Sequence, residues 1–182
     1  MRSSDIVPLF RHMEWADALM WRSVLALPAE AQANVELKLW LHHIHLVQRV
    51  FLETWKGTPM TAYGTPEDFP TLASLAAWAQ PAYEEAIALA SSMDEAALAA
   101  PQHVAHSARA AKEWPTFTPA TRAETMVQVA IHTTHHRGQI AMRVRALGGE
   151  PALMDFIAWT WKGKPAAAWP DVVFAVATES TA

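Results

Sequence analysis

Residues 121–147 read TRAETMVQVAIHTTHHRGQIAMRVRAL and run straight into Gly148-Gly149. The stretch predicts one long helix that closes on the glycine pair, the usual signal past a helix C-terminus. Within it stand His132, His135 and His136. Residues four apart lie one above the other on a helix face, so His132 and His136 can aim ring nitrogens at one metal ion. His132 with His135 is the three-residue alternative and turns the pair to another face. Two neighbouring surface histidines give the same spacing, and so short a pattern often arises by chance.

Three more long helices can be drawn. The first covers about residues 4–27, with Ser4 or Ser3 as N-cap and Pro28 as its stop. Its apolar residues Leu9, Met13, Ala16, Met20, Val24 and Leu27 recur at helical steps. The second covers about 34–55 and ends at Gly57, with Pro59 beyond; the third starts from an N-cap at Thr71 and reaches Met93. A shorter extra helix is expected within 151–163, from Ala152 to Trp161. The tail, 164–182, has strand-like residues over 172–177 that find no place in this scheme. Two connections, 57–70 and 94–120, are long, and long loops in a compact domain are often functional. Scarce Gly (6) and abundant Ala agree with helices. Four amphipathic helices predict an all-α chain, a four-helix bundle in a single domain, 1–182.

Composition narrows the chemistry. The 182 residues are 52% hydrophobic and 18% charged, with nine His and no Cys. Without Cys there is no disulfide, no thiolate metal site and no cysteine nucleophile, so a metal must be held by His and carboxylates. The net charge of −4 lacks the basic face of a nucleic-acid binder, and Arg137, Arg143 and Arg145 make only a sparse run. The first residues lack an uninterrupted apolar segment of signal-peptide type, and no run approaches the ~20 apolar residues of a membrane span. A cytoplasmic protein with neither nucleic-acid nor membrane partners is expected.

A metal site needs a third ligand, and the second helix offers His42, His43 and His45. Trp40, Ile44, Val47, Val50 and Phe51 define its apolar stripe, and His43 lies at the edge of that stripe. Projection therefore turns His43 toward the interior and leaves His42 and His45 toward solvent. An inward His without a partner is costly. Either a shared metal or a hydrogen bond to a carbonyl or side chain removes that cost. His12 stands alone, and His103 and His106 lie in the long 94–120 connection without an assigned role.

HTTHHRGQI (132–140), followed by LGGEPALMDF (147–156), resembles the C-terminal signature of the DinB family, the DinB/YfiT-like metalloenzymes. HIHLVQRVFLETW (43–55) is similar to that family's His-bearing helix, in which an Asp or Glu often stands where Gln48 is here. HMEWADALMW (12–21) resembles its first helix. The resemblance implies three metal ligands at His43, His132 and His136. It also implies an up-down-down-up bundle with a long crossover, and a homodimer. Related proteins include thiol-dependent S-transferases and isomerases.

Three neutral His leave the charge of a divalent ion (zinc, nickel or iron) uncancelled and a coordination position open. Such a site could bind an external thiol as thiolate, the small-molecule thiol being a cosubstrate because the chain has no Cys. Gln139 projects with His132 and Asp155 follows the Gly-Gly turn; both are candidates to support the ligands from behind. Arg137 projects away, toward helix pairing or a dimer contact, and Gly138 suggests close approach of another backbone. Trp15, Trp21, Trp40 and Trp55 are expected in the core, as are Trp159 and Trp161, which could instead line a pocket mouth. Two competing readings are a non-catalytic metal-binding or stress-associated interaction protein and a metal-dependent hydrolase. The hydrolase needs a carboxylate base, with Asp155 and Glu124 as its candidates. Catalysis predicts an open site facing a substrate-sized pocket, whereas the non-catalytic reading predicts a sealed site, a fourth protein ligand or no metal.

Overall fold

A computed structural model describes residues 1–58, 63–104 and 107–179, with side chains to 175. The described residues form helices and turns, with one isolated bridge between Pro101 and Thr121 and no strand. In chain order the helices are α1 (Ser3–Leu25), α2 (Ala29–Gln32), α3 (Val35–Lys56), α4 (Leu72–Ala79) and α5 (Pro81–Ser92). They continue with α6 (Glu95–Ala99), α7 (Ser107–Glu113), α8 (Arg122–Ala146), α9 (Phe156–Trp161) and α10 (Asp171–Glu179). Four of them make the core: α1 packs on α5 and α8, and α3 packs on the same two.

Local chemistry sets the ends. Thr121 caps α8 by accepting from the Glu124 N–H, while the Glu124 carboxylate accepts from the Thr121 N–H, a reciprocal capping box. Asn34 caps α3 through the Leu37 N–H. At the other ends Gly57 (φ 69°) and Gly148 (φ 83°) take the left-handed conformation that closes α3 and α8. Gly149 then passes so close to the turn after α1 that a Cβ there would lie 2.6 Å from Leu27 Cδ2.

The structure departs from the expected elements in three places. The third helix is broken: Gln80 is a turn and Pro81 opens α5. Proline has no N–H to continue the ladder, and its ring crowds the preceding turn. The 94–120 connection contains α6 and α7, and His106 lies outside the described residues. The tail is helical: α10 packs on α4, burying Val173, while Trp169 just before it also enters the core. β-branched residues prefer strands, but a lone strand would leave its backbone unpaired, and packing overrides the preference.

α1 is buried nearly all round between His12 and Met20. Its inner face joins the main core, and its outer face carries Trp15 and Ala16 against Trp159 of α9. A helix apolar on every side must be covered on every side, and the chain after α8 supplies that cover. Trp15, Trp21, Trp55 and Trp159 are core residues, as expected; Trp161 is 79% exposed. No described helix is long and apolar enough to cross a membrane.

Candidate metal centre

His43 on α3 meets His132 and His136 on α8, and the potential ligand atoms of all three lie within 4.8 Å of one another. The three are half-buried. His132 Nε2 and His136 Nε2 stand 3.1 Å apart. Two nitrogens ~2.0–2.1 Å from one tetrahedral ion stand about 3.3–3.4 Å apart, so the pair is already spaced for a shared ion.

Protonation fits the same role. Gln139 Oε1 lies 2.5 Å from His136 Nδ1 and accepts its proton, which leaves the Nε2 lone pair of His136 aimed at the centre. Burial, with the neighbouring His136, His43 and His135 rings, pushes His132 down to about 4. Burial, then His136 and His42, lowers His43 as well. Neutral imidazoles are what a divalent cation requires. His132 Nδ1 is buried without a hydrogen-bond partner among the described residues, and the ring's polar contact is the one from its Nε2 to His136 Nε2. Trp40 stacks on His136 at 5.1 Å and meets His43 edge-on at 6.2 Å, walling the group on the α3 side.

Two helices of the core bring the three together. His43 sits at the margin of α3 facing α8, and the four-residue step on α8 stacks His132 under His136. Trp40 and Gln139, which contact His136, also line a cleft of about 290 Å³ together with Glu36, Met142 and Arg143; none of the three histidines is among its lining residues. Arg143 Nη2 pairs with Glu36 at 3.0 Å, and its Nε bonds Asn34. Asp155 lies elsewhere: it is exposed just before α9 and lines a different cavity, beside His12. Glu124 is committed to capping α8.

His42 and His45, expected in solvent, are 6% and 1% exposed. α3 is rotated from the expected stripe: Leu37, Leu41, Ile44, Gln48, Leu52 and Trp55 face the core, while Trp40, Val47, Val50 and Phe51 are only half-buried. His42 Nε2 donates to the Gly64 carbonyl at 2.7 Å, and its ring stacks on Trp78, tying the connection after α3 to the helix. His45 belongs to a polar network that crosses all four core helices. Trp21 Nε1 donates to His45 Nε2, so the proton sits on Nδ1 and goes to Gln48 Oε1, each at 2.9 Å. Gln48 Nε2 donates to Asp17 Oδ2 at 3.0 Å and to Thr133 Oγ1 at 3.2 Å. Tyr83 also donates to Asp17 Oδ2, and Arg137 Nε pairs with Oδ1 at 2.7 Å.

Arg137 is thus buried (3% exposed) and ion-paired rather than turned outward. It shares a helix face with Thr133, Ile140 and Val144, a three- and four-residue spacing that was available in the sequence. Asp17, fully buried among apolar neighbours on α1, carried the matching signal. Gly138 is not a close approach: a Cβ there would meet nothing within 4 Å. His12 is buried, its Nε2 donating to the Met154 carbonyl at 2.9 Å.

The described residues are helical and without strands, and three histidines on two packed helices form a group that could hold a metal ion. The DinB family matches residues 1–167. The chain belongs to the DinB family. No curated protein and no solved structure gives a match.

Proposed function

We propose that this DinB protein is an up-down-down-up four-helix bundle. It holds one divalent metal ion through His43, His132 and His136, and it transfers a small external thiol to an electrophilic substrate. The contact pairs support the helix order. Phe10 meets Trp55 while Trp21 meets His45, and Trp55 meets Thr125 while Asn34 meets Arg143. α3 therefore runs against both α1 and α8. Arg49 contacts Trp78 and Lys56 contacts Glu85, so α5 runs with α3, and the connection between them returns along the bundle.

The observation that carries the catalytic reading is the cleft beside the triad. The group of three is half-buried, no fourth His, Cys or carboxylate joins it among the described residues, and Trp40 and Gln139, which both touch His136, line the cleft. Its volume is close to the ~300 Å³ lower bound of small-molecule sites. A divalent ion held there supplies Lewis acidity and can hold a thiol as thiolate.

The residues of the chain do the positioning. Gln139 fixes the His136 tautomer, and burial keeps His43 and His132 unprotonated. Trp40 gives the substrate an apolar wall, and Arg143 with Glu36 forms the polar end of the cleft. In the transfer the thiol sulfur forms the new bond to carbon, the leaving group departs with its electron pair, and the thiol proton passes to solvent. Hydrolysis is less well supported, because Glu124 caps α8 and Asp155 lies at another cavity.

The test is a panel of cellular thiols against alkylating and epoxide electrophiles, using metal-loaded protein, chelated protein and His136→Ala. Conjugation only by the metal-loaded wild type is expected. No conjugation with any thiol, or equal rates in all three samples, overturns the catalytic reading.

A further inference from the structure

A large cavity is lined by none of the three histidines. It measures about 1000 Å³, at the top of the small-molecule range, between the first half of α1, the outer face of α8 and residues 151–156. At about 100° per residue, α8 turns His132, His136 and Gln139 to one side and Ile131, Thr134 and Gly138 to a different face, roughly 130° round the helix. The greater part of the cavity wall is apolar, with Leu9, Met13, Ile131, Met154 and Phe156 among its residues. Ile131 is 62% exposed and Phe156 42%, so large apolar side chains face open space inside a concavity.

One charged group in that wall is buried. Arg137 lines the cavity and is only 3% exposed. Its Nε is bound to Asp17 Oδ1, but Asp17 Oδ2 is occupied by Gln48 and Tyr83 and cannot close a second arm onto the guanidinium. Arg137 Nη2 is left buried with no hydrogen-bond partner among the described residues. A buried charged donor without an acceptor is costly, and native proteins seldom leave one without an ion, water or ligand. The other charges lining the cavity are Arg145 and Asp155. Burial lowers His12 and keeps it neutral, so cations outnumber anions in the wall.

We propose that this cavity is a binding site for a small amphiphilic carboxylate. Its carboxylate rests on the free edge of the Arg137 guanidinium, and its hydrocarbon body lies along Leu9, Met13, Ile131 and Phe156. The planar guanidinium matches a carboxylate with two parallel N–H donors, and Leu9, Met13, Ile131 and Phe156 offer the rest of the ligand an apolar wall. The site shares no lining residue with the cleft beside the triad. It therefore does not depend on the metal.

Gly138 allows the test to spare the fold. It lines the cavity, and a Cβ there would meet nothing within 4 Å, so a larger side chain starts out into open space. Full-length protein is titrated calorimetrically with decanoate and with decanamide. One decanoate per chain is expected, with decanamide at least tenfold weaker. Gly138→Phe should weaken decanoate at least tenfold while circular dichroism and metal content stay at wild-type values. Thr134→Phe is a second plug of the same cavity should the first variant lose helical signal. Absence of saturable decanoate binding, equal binding of the amide, or wild-type affinity in a folded plug variant overturns the proposal. So does loss of decanoate binding in His136→Ala, which assigns the ligand to the triad cleft. A wild-type dimer that Gly138→Phe dissociates in sedimentation assigns the cavity to a second copy, and likewise overturns it.

Discussion

Asp17 and Arg137 offer the sharpest test of how the core is held. Asp17 is fully buried and accepts from Arg137 Nε, Gln48 Nε2 and Tyr83 OH, so one carboxylate joins α1 to α8, α3 and α5. Removing one member of a buried ion pair leaves the other charge uncompensated and typically costs ~3–5 kcal/mol. Asp17→Leu also strips the acceptor from Gln48 and Tyr83, which places it at the upper end. Arg137→Met belongs at the lower end, because two hydrogen bonds still hold the carboxylate. Domains of this kind are stable by only about 5–15 kcal/mol, so Asp17→Leu removes a large share. The double variant Asp17→Leu/Arg137→Met buries no charge at the pair. It should be more stable than Asp17→Leu alone, with a coupling of at least ~2 kcal/mol. Urea unfolding followed by circular dichroism measures all four corners of the cycle. Additive effects within about 0.5 kcal/mol would refute the reasoning.

Three further outcomes follow from particular residues. Gly138→Ala should raise stability by ~0.5–1 kcal/mol, because an interior helical glycine with no neighbour within 4 Å gains propensity without a clash; a lowered Tm contradicts this. Gly149→Ala should cost ~1–3 kcal/mol, since its Cβ would meet Leu27 Cδ2 at 2.6 Å and Val144 Cγ1 at 2.9 Å; an unchanged unfolding midpoint shows that the contact relaxes freely. Burial lowers His12 from its ordinary 6.5, so the unfolded chain takes up this proton first as pH falls. Stability should be full above about pH 6.5 and decline below it, with a shallower decline in His12→Gln; equal slopes in the two proteins rule His12 out as a contributor.

Much of the fold could be read locally. Gly57 and Gly148 stop α3 and α8 in the left-handed conformation that glycine adopts without strain, and Thr121 and Asn34 start them. Pro81 also carried a local signal, because a helix running through it lacks a hydrogen bond at that point. The tail was not legible: Val172, Val173 and Phe174 have strand propensities, and only docking on α4 makes them helical.

The candidate centre was legible where spacing decides. The four-residue step in α8 stacks His132 and His136, and His43 lies at the edge of its stripe. Rotation of α3 was not legible, because Trp40, Val47, Val50 and Phe51 imitate a core face, while the true one admits His45 and Gln48 through hydrogen bonds that only tertiary structure provides. Gln48 also explains its own departure from the family pattern. A carboxylate at that position would face Asp17, whereas the amide donates to it.

The central claim is that His43, His132 and His136 hold one divalent ion. It is tested most directly by metal content after equilibration with zinc, nickel or ferrous iron and removal of free ion, in wild type, the three single Ala variants and His135→Ala, whose exposed ring lies outside the group. One ion per chain is predicted for wild type and His135→Ala, with less than a tenth of that in each triad variant. Wild-type content in folded His43→Ala, His132→Ala or His136→Ala would contradict the account.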